Sequence, residues 1–107
     1  MRPTFLTRLV NGPLFDPIVY IRILNQRQAV MLDCGRFFDL SNHELMLVEH
    51  LFVSHAHMDH FMGFDQILRV ILHRENPLHV YGPPGITHNV LAKLQAYTWN
   101  LTQDYAL

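Results

Sequence analysis

Residues 55–60 read His-Ala-His-Met-Asp-His, so three imidazoles and one carboxylate occur within six consecutive positions. Neutral imidazole and carboxylate are common protein ligands of zinc and of other divalent metal ions. A cluster of four such groups is difficult to explain by packing, because polar groups of this kind are poorly accommodated in an apolar core. The hexapeptide therefore predicts a metal site.

The spacing of these residues predicts the backbone that carries them. On a helix, residues two apart point to nearly opposite faces, so His55 and His57 could not share one metal ion. In an extended chain, residues 55, 57 and 59 lie on one side, and a bend is needed to bring in His60. We therefore expect a loop between a buried strand at 50–54 and an amphipathic helix that runs to His73.

The number of ligands favours two metal ions. A catalytic zinc usually has three protein ligands and a water, so four ligands with different geometries fit two ions better than one. His55 and His57 would bind the first ion, and Asp59 and His60 would bind the second. Two ions roughly 3.5–4 Å apart can share a hydroxide and stabilise both the attacking and the leaving oxygen of a displacement reaction. Each ion would still be short of ligands, so these residues form only part of a site.

The hexapeptide has the form His-x-His-x-Asp-His, which resembles the metal-binding motif of the metallo-β-lactamase fold superfamily. Residues 31–35, Met-Leu-Asp-Cys-Gly, resemble the strand of that superfamily that ends in an Asp and Gly turn. Residues 80–86, Val-Tyr-Gly-Pro-Pro-Gly-Ile, resemble a strand and turn of ribonuclease Z and its relatives. The order and spacing of the three segments also match, so the resemblance covers roughly residues 30–90.

The resemblance implies a role for each site residue. His55 and His57 would bind the first zinc ion, and Asp59 and His60 the second. Asp59 would also be the catalytic residue that orients the bridging hydroxide. Asp33 would hydrogen bond to the loop that carries residues 55–60, here named the metal loop, rather than bind metal. Partners of this kind fix the orientation of ligands. The implied cofactor is a pair of zinc ions, with manganese or iron as alternatives.

Two positions depart from the ribonuclease Z pattern. Met58 stands where those proteins usually have a small residue, often Gly. Residues 36–39 read Arg-Phe-Phe-Asp, where they usually have Glu-Gly-Thr-Gln. Both departures fall near the expected site and weaken the case for tRNA 3′ processing. We interpret the pair Phe37 and Phe38 as core residues rather than as a platform for base stacking.

The superfamily fold is an αββα sandwich built from two similar halves, and the second half supplies another His, a bridging Asp and a last His. After Gly85 this chain has a helix-like run at 86–97 and then residues 100–107, where Asp104 alone cannot replace that set. We therefore interpret residues 1–107 as a single partial domain, the N-terminal half of such a sandwich. It is expected to have a mixed, largely antiparallel sheet with helices on one face.

Local patterns predict the elements of this half. Strands are expected at Phe5 to Val10, Ile18 to Leu24, Ala29 to Leu32 and Leu78 to Tyr81, the second and third joined as a hairpin. Ser41 and Glu44 have capping-box spacing and would open a short helix over Leu45 to Val48. Half of a sandwich leaves an apolar sheet face and edge exposed, so self-association or the missing half is expected to cover that face.

The function implied is that of a dinuclear zinc hydrolase of the ribonuclease Z-like branch, acting on RNA or a small phosphodiester through a metal-bound hydroxide. A second interpretation keeps the fold but assigns a different hydrolysed bond, because thioesterases, lactonases and sulfatases use the same hexapeptide. A third is a non-catalytic metal-binding or interaction fragment, since the ligand set is incomplete. In each case we expect the 107 residues alone to be inactive.

Composition agrees with a globular protein and gives no general attraction for nucleic acid, because the formal net charge is −1. The single cysteine, Cys34, excludes an internal disulfide and suits a reducing cytosol, so a cytoplasmic location is expected. We interpret Cys34 as a small buried residue rather than a nucleophile. No apolar stretch is long enough to span a membrane.

Overall fold

The computed structural model describes residues 4–72 and 74–98 and contains a five-stranded mixed sheet in the order β1-β2-β3-β4-β5. The first three strands form antiparallel pairs, and β4 and β5 each add a parallel pair. Pairings therefore divide evenly between the two orientations. The strands are β1 (Phe5–Leu9), β2 (Val19–Ile23), β3 (Gln28–Leu32), β4 (Val48–Phe52) and β5 (His79–Tyr81).

Helices make the crossovers that the parallel pairs require, because parallel neighbours cannot be joined by a tight hairpin. Ser41 caps the first helix: its hydroxyl accepts the Glu44 N–H, and the Glu44 carboxylate accepts the Ser41 N–H. The capping box predicted from the sequence is therefore confirmed. The helices are α1 (Asn42–Met46), α2 (Met58–Phe61), α3 (Phe64–Val70) and α4 (Ile86–Gln95).

The prediction of a single long helix after the hexapeptide is wrong. The helical segment is interrupted at Gly63, which separates α2 from α3. The Gly63 N–H donates to the carbonyl oxygen of Cys34 at 2.8 Å. A Cβ atom at Gly63 would lie 2.1 Å from the carbonyl oxygen of Gly35, so only glycine permits this approach. The break ties the start of α3 to the end of β3. His73 and Asp104 lie outside the described residues.

One face of the sheet carries the helices and the core. Cross-strand pairing places Tyr20, Met31 and Leu51 in one row on this face, and all three are buried. Side chains from each helix complete the core, among them Leu45, Phe61, Phe64, Ile67 and, partly buried, Val90. The arrangement follows from the two-residue period of a strand, which sends alternate side chains to opposite faces.

The opposite face of the sheet is apolar and exposed in the described part of the chain. Strand pairing aligns one row across all five strands, Leu9, Val19, Leu32, Phe52 and Tyr81. Four of these side chains are exposed, and Val19 is half-buried. The open apolar face predicted for half of a sandwich is therefore present.

Other boundaries lie close to expectation, with one exception. The helix expected over Leu45 to Val48 ends at Met46, and β4 already begins at Val48. This earlier start allows Ala29 to pair with Val48. No helix among the described residues is long and apolar enough to cross a membrane.

Candidate metal centre

The hexapeptide lies where β4 passes into α2, as the spacing of its ligands predicted. The Val53 N–H still bonds to the Tyr81 carbonyl at 2.7 Å, which extends the pairing with β5. The chain remains extended through His57, whose φ and ψ are −70° and 155°, and α2 begins at Met58. Asp59 is therefore on the first turn of a helix rather than in the extended chain that we expected.

His55, His57 and Asp59 converge despite this change of backbone. Each offers one ligand atom, and these atoms all lie within 4.8 Å of one another. Two ligands bound to one zinc ion at about 2.0–2.2 Å are at most about 4.4 Å apart, so small adjustments suffice to bind one ion. Within the described ranges this is the one group of at least three potential ligands that meets that criterion. The donor set fits a divalent transition metal.

His60 lies beside this group, between two carboxylates. Its Nε2 atom is 3.3 Å from Oδ2 of Asp59, and its Nδ1 atom is 3.0 Å from Oδ2 of Asp33. Its ring centroid is 4.0 Å from that of His55. The four predicted ligands are thus adjacent, while their division between two ions stays a prediction.

Asp33 joins the end of β3 to the metal loop. Its Oδ1 atom accepts the Ser54 N–H at 2.7 Å, and its own N–H donates to the Phe52 carbonyl at 2.7 Å. The residue has a φ of +63°, a left-handed conformation that aspartate tolerates better than most residues. This turn directs the carboxylate toward the loop instead of along the strand.

Ser54 contributes to the site, although our sequence analysis assigned it no role. Its Oγ atom lies 2.9 Å from Oδ2 of Asp33 and 3.0 Å from Nδ1 of His55. A carboxylate can only accept, so the hydroxyl donates its proton to Asp33 and its oxygen accepts from Nδ1–H of His55. Nε2 of His55 then remains as the atom available to a metal. A hydroxyl residue beside the first histidine was the only sequence signal for this role.

The two residues after Asp33 lie directly beneath α2. The Cys34 N–H donates to the His60 carbonyl at 2.9 Å, and a Cβ atom on Gly35 would lie 2.0 Å from the Asp59 carbonyl oxygen. Burial raises the pKa of the Cys34 thiol well above its ordinary value. The thiol is therefore neutral, which agrees with its interpretation as a buried residue.

Two other predictions concern residues near the site. Met58 is 76% exposed, so it projects from the loop into solvent and does not fill the space between the ligands. Phe37 packs against the core as predicted. Phe38 is 52% exposed, and its interpretation as a core residue is therefore wrong. The backbone of Phe38 is bound by Asn11, whose Oδ1 accepts the Phe38 N–H at 3.0 Å.

Comparison with known proteins identifies relatives that are named as ribonucleases. A protein named Ribonuclease Z from Deinococcus radiodurans is 42% identical over 74 residues, which is 66% of this chain and 22% of that protein. Another of that name from Listeria monocytogenes is 33% identical over 94 residues, 78% of this chain and 30% of the relative. Ribonuclease BN from Proteus mirabilis is 34% identical over 96 residues, 80% of this chain and 32% of the relative. No protein-family model matches the chain.

A solved structure shows the same fold. The human tRNase Z, short form, superposes with a TM-score of 0.62 at 23% identity, covering 95% of this chain and 41% of that structure. This chain thus spans between about a fifth and a third of the length of the three ribonuclease relatives and 41% of the human structure. Sequence identity and backbone geometry agree, and the chain belongs to the ribonuclease Z-like branch of the metallo-β-lactamase fold superfamily.

Proposed function

We propose that this chain carries part of the active site of a metal-dependent hydrolase that cleaves phosphodiester bonds in RNA. The convergence of His55, His57 and Asp59 within 4.8 Å, next to His60, is the observation that supports it most directly. The relatives named Ribonuclease Z support RNA as the substrate class. Zinc is the proposed metal, because imidazole and carboxylate ligands suit it, with manganese or iron as alternatives.

Two metal ions are proposed for the complete site. His55 and His57 would hold the first ion, and Asp59 and His60 the second. Bound divalent ions supply Lewis-acid activation of water and stabilisation of charge on the phosphoryl oxygens. Asp59 is on the exposed side of the loop, where its carboxylate can also accept a hydrogen bond from an attacking water.

Residues outside the ligand set would keep it oriented. Asp33 accepts hydrogen bonds from Ser54 and faces Nδ1 of His60 at 3.0 Å, which restrains one histidine ring. Ser54 restrains the His55 ring through the contact at Nδ1. Partners of this kind typically contribute about 10–100-fold to metal affinity. Preorganised ligands also avoid the loss of side-chain entropy when the metal binds.

We further propose that these 107 residues form a single partial domain that is inactive alone. The described residues supply four ligands, whereas two catalytic ions usually take about three protein ligands each. The open apolar face supports the same proposal, since an additional sheet or a second copy of the chain would cover it. A cytoplasmic location is proposed from the single buried thiol.

The first test is hydrolysis by the natural protein that contains these residues. We expect metal-dependent turnover of bis(p-nitrophenyl) phosphate and of single-stranded RNA, lost in Asp59→Ala and after chelation. His88→Ala on α4 is the matched control, because it removes an exposed histidine outside the cluster. Turnover of thioesters or lactones but not of phosphodiesters would show that the proposed substrate class is wrong. Absence of any turnover in the metal-loaded protein would favour a non-catalytic role.

A further inference from the structure

Two phenylalanine rings form an exposed pair on the loops beside the metal centre. Phe15 follows β1 and Phe38 follows β3, and they are 59% and 52% exposed. Their ring centroids are 4.8 Å apart, with an angle of 46° between the planes. Burying such rings in the core is normally favourable, so an exposed pair whose rings pack against each other marks a contact surface.

A positive charge accompanies the aromatic pair. The Cζ atom of Arg36, an exposed residue, lies 4.7 Å from the centroid of the Phe38 ring. Asp16 is an acidic neighbour, and its Oδ2 atom accepts the backbone N–H of Arg36 at 2.8 Å. Asp39 follows Phe38 in the sequence and is exposed. The guanidinium itself has no carboxylate partner among the ion pairs found in the described part of the chain.

The same loops contact the metal loop directly. A Cβ atom on Gly35 would lie 2.0 Å from the Asp59 carbonyl oxygen and 2.7 Å from Oδ2 of Asp16. Gly35 is therefore closely packed against both Asp59 and Asp16. Phe15 immediately precedes Asp16, and Arg36 immediately follows Gly35 in the chain. The segments that carry the aromatic pair and the guanidinium thus border the backbone of α2, the helix on which Asp59 and His60 lie.

Hydrogen bonds hold this surface in place. The side-chain amide of Asn11 donates to the Asp16 carbonyl at 2.9 Å and to the Arg36 carbonyl at 2.7 Å. Its Oδ1 atom accepts the Phe38 N–H at 3.0 Å. One residue therefore connects the loop after β1 to the loop after β3. A surface fixed in this way loses little conformational entropy when it binds a ligand.

We propose that Phe15, Phe38 and Arg36, here named the stacking surface, bind an unpaired nucleobase of the RNA substrate and its neighbouring phosphate. Unpaired bases in RNA are typically recognised by stacking on aromatic rings and on arginine. The surface would position the strand so that one phosphodiester bond reaches the metal ligands. This inference rests on the proposed function and specifies which residues select single-stranded RNA.

The test compares two ligands of equal length without added divalent metal, so that no cleavage occurs. One is a fluorescein-labelled single-stranded RNA, and the other is an abasic strand with the same phosphates. The 107-residue chain is expected to bind the RNA more tightly in fluorescence anisotropy. Phe38→Ala and Phe15→Ala should each weaken RNA binding at least about fivefold, because stacking contributes about 1–3 kcal/mol per base.

Further variants separate stacking from charge and from misfolding. Phe38→Leu should bind RNA as poorly as Phe38→Ala, and Phe38→Trp should restore the affinity. Arg36→Ala should weaken binding of both strands and lower the salt dependence by about one phosphate contact. Leu14→Ala is the matched control, since Leu14 is 87% exposed in the same loop. Unchanged circular dichroism spectra confirm that each variant is folded.

The stacking surface is overturned if the wild-type chain binds both strands equally, or if Phe38→Ala binds RNA as well as the wild type does. The proposed hydrolase is judged separately, by metal-dependent turnover of bis(p-nitrophenyl) phosphate in the natural protein. That substrate has no nucleobase, so absence of its turnover by the natural protein counts against the proposed hydrolase activity. Base-independent binding with turnover retained counts against the stacking surface alone.

Discussion

Nδ1 of His60 lies 3.0 Å from Oδ2 of Asp33, although the two residues belong to α2 and to the end of β3. The same carboxylate accepts the N–H and the hydroxyl of Ser54. A single aspartate therefore fixes the loop at both ends of the hexapeptide. Its left-handed backbone conformation at φ +63° makes this geometry possible.

Replacing Asp33 with alanine should weaken metal binding about 10–100-fold, the usual effect of losing a residue that orients a ligand. It should also destabilise the fold by about 1–2 kcal/mol, because alanine is strained at a φ of +63° and the exposed Ser54 N–H exchanges its acceptor for water. Affinity is measured by zinc titration against a chromophoric chelator, and stability by urea unfolding.

Asp33→Asn is the matched control for this change. Asparagine tolerates a positive φ and keeps one oxygen that accepts the Ser54 N–H, so stability should be largely retained. Its NH₂ group cannot accept from His60, so metal affinity should still decrease. Equal metal affinity in the wild type, Asp33→Ala and Asp33→Asn would contradict the assigned role.

Gly35→Ala should destabilise the protein strongly, by about 3 kcal/mol or more, because the new methyl group meets backbone rather than a mobile side chain. Its Cβ atom would lie 2.0 Å from the Asp59 carbonyl oxygen. Thermal unfolding provides the measurement. Gly12→Ala is the control: nothing lies within 4 Å of its Cβ position, so only the strain of its φ of +71° remains, about 1 kcal/mol. A smaller loss of stability in Gly35→Ala than in Gly12→Ala would argue against the close packing beneath α2.

The free energy of unfolding should decrease at acid pH, because the Glu44 carboxylate becomes protonated. Burial tends to raise the pKa of this carboxyl, but hydrogen bonds from Ser41 and the Arg8 guanidinium at 2.8 Å outweigh it and lower the pKa. The stabilisation is therefore complete above the ordinary pKa of 4.5 and is lost as the pH falls through the folded-state pKa.

Glu44→Gln isolates this effect while keeping the shape of the cap. The substitution should cost no more than about 1 kcal/mol at pH 7, because the ion pair is partly exposed, and close to nothing once the pH is below the folded-state pKa. Urea unfolding of both proteins across this pH range gives the difference. A constant difference at all pH values would exclude the carboxylate as its source.

The Cys34 thiol should react with Ellman's reagent only when the protein opens, because burial raises its pKa and excludes the reagent. The unfolded state ionises more readily, so stability should fall as the pH rises above the ordinary value of about 9. Cys34→Ala should reduce this alkaline decrease, and the part that remains above pH 10 is due to Tyr20, whose pKa burial raises to about 12. Fast labelling of the native protein at pH 8 would show that the thiol is accessible.

The sequence was sufficient to predict that the hexapeptide lies between β4 and α2, because its candidate ligands restrict the backbone. Residues two apart can share a metal only in extended chain, which requires the loop between β4 and α2. Capping at Ser41 was equally predictable, since it depends on local spacing. Both inferences depend on residues close together in the chain.

Long-range contacts explain what the sequence did not reveal. The helix break at Gly63 arises from its contact with Cys34 and Gly35, far away in the chain. Ser54 acquires its role only through Asp33. Phe38 is exposed and its backbone N–H is bound by Asn11, a contact that no periodicity of residues 36–39 indicates.

The identity of the ligands is the central claim, and anomalous diffraction at the zinc edge tests it most directly. Crystals of the chain soaked with zinc should show density at the loop, about 2.0–2.2 Å from the nitrogens of His55 and His57 or from Asp59 and His60. His57→Ala should abolish the first position, with His88→Ala unchanged. Zinc bound only at other histidines, such as His50 and His79, or no zinc at the loop, would contradict the account.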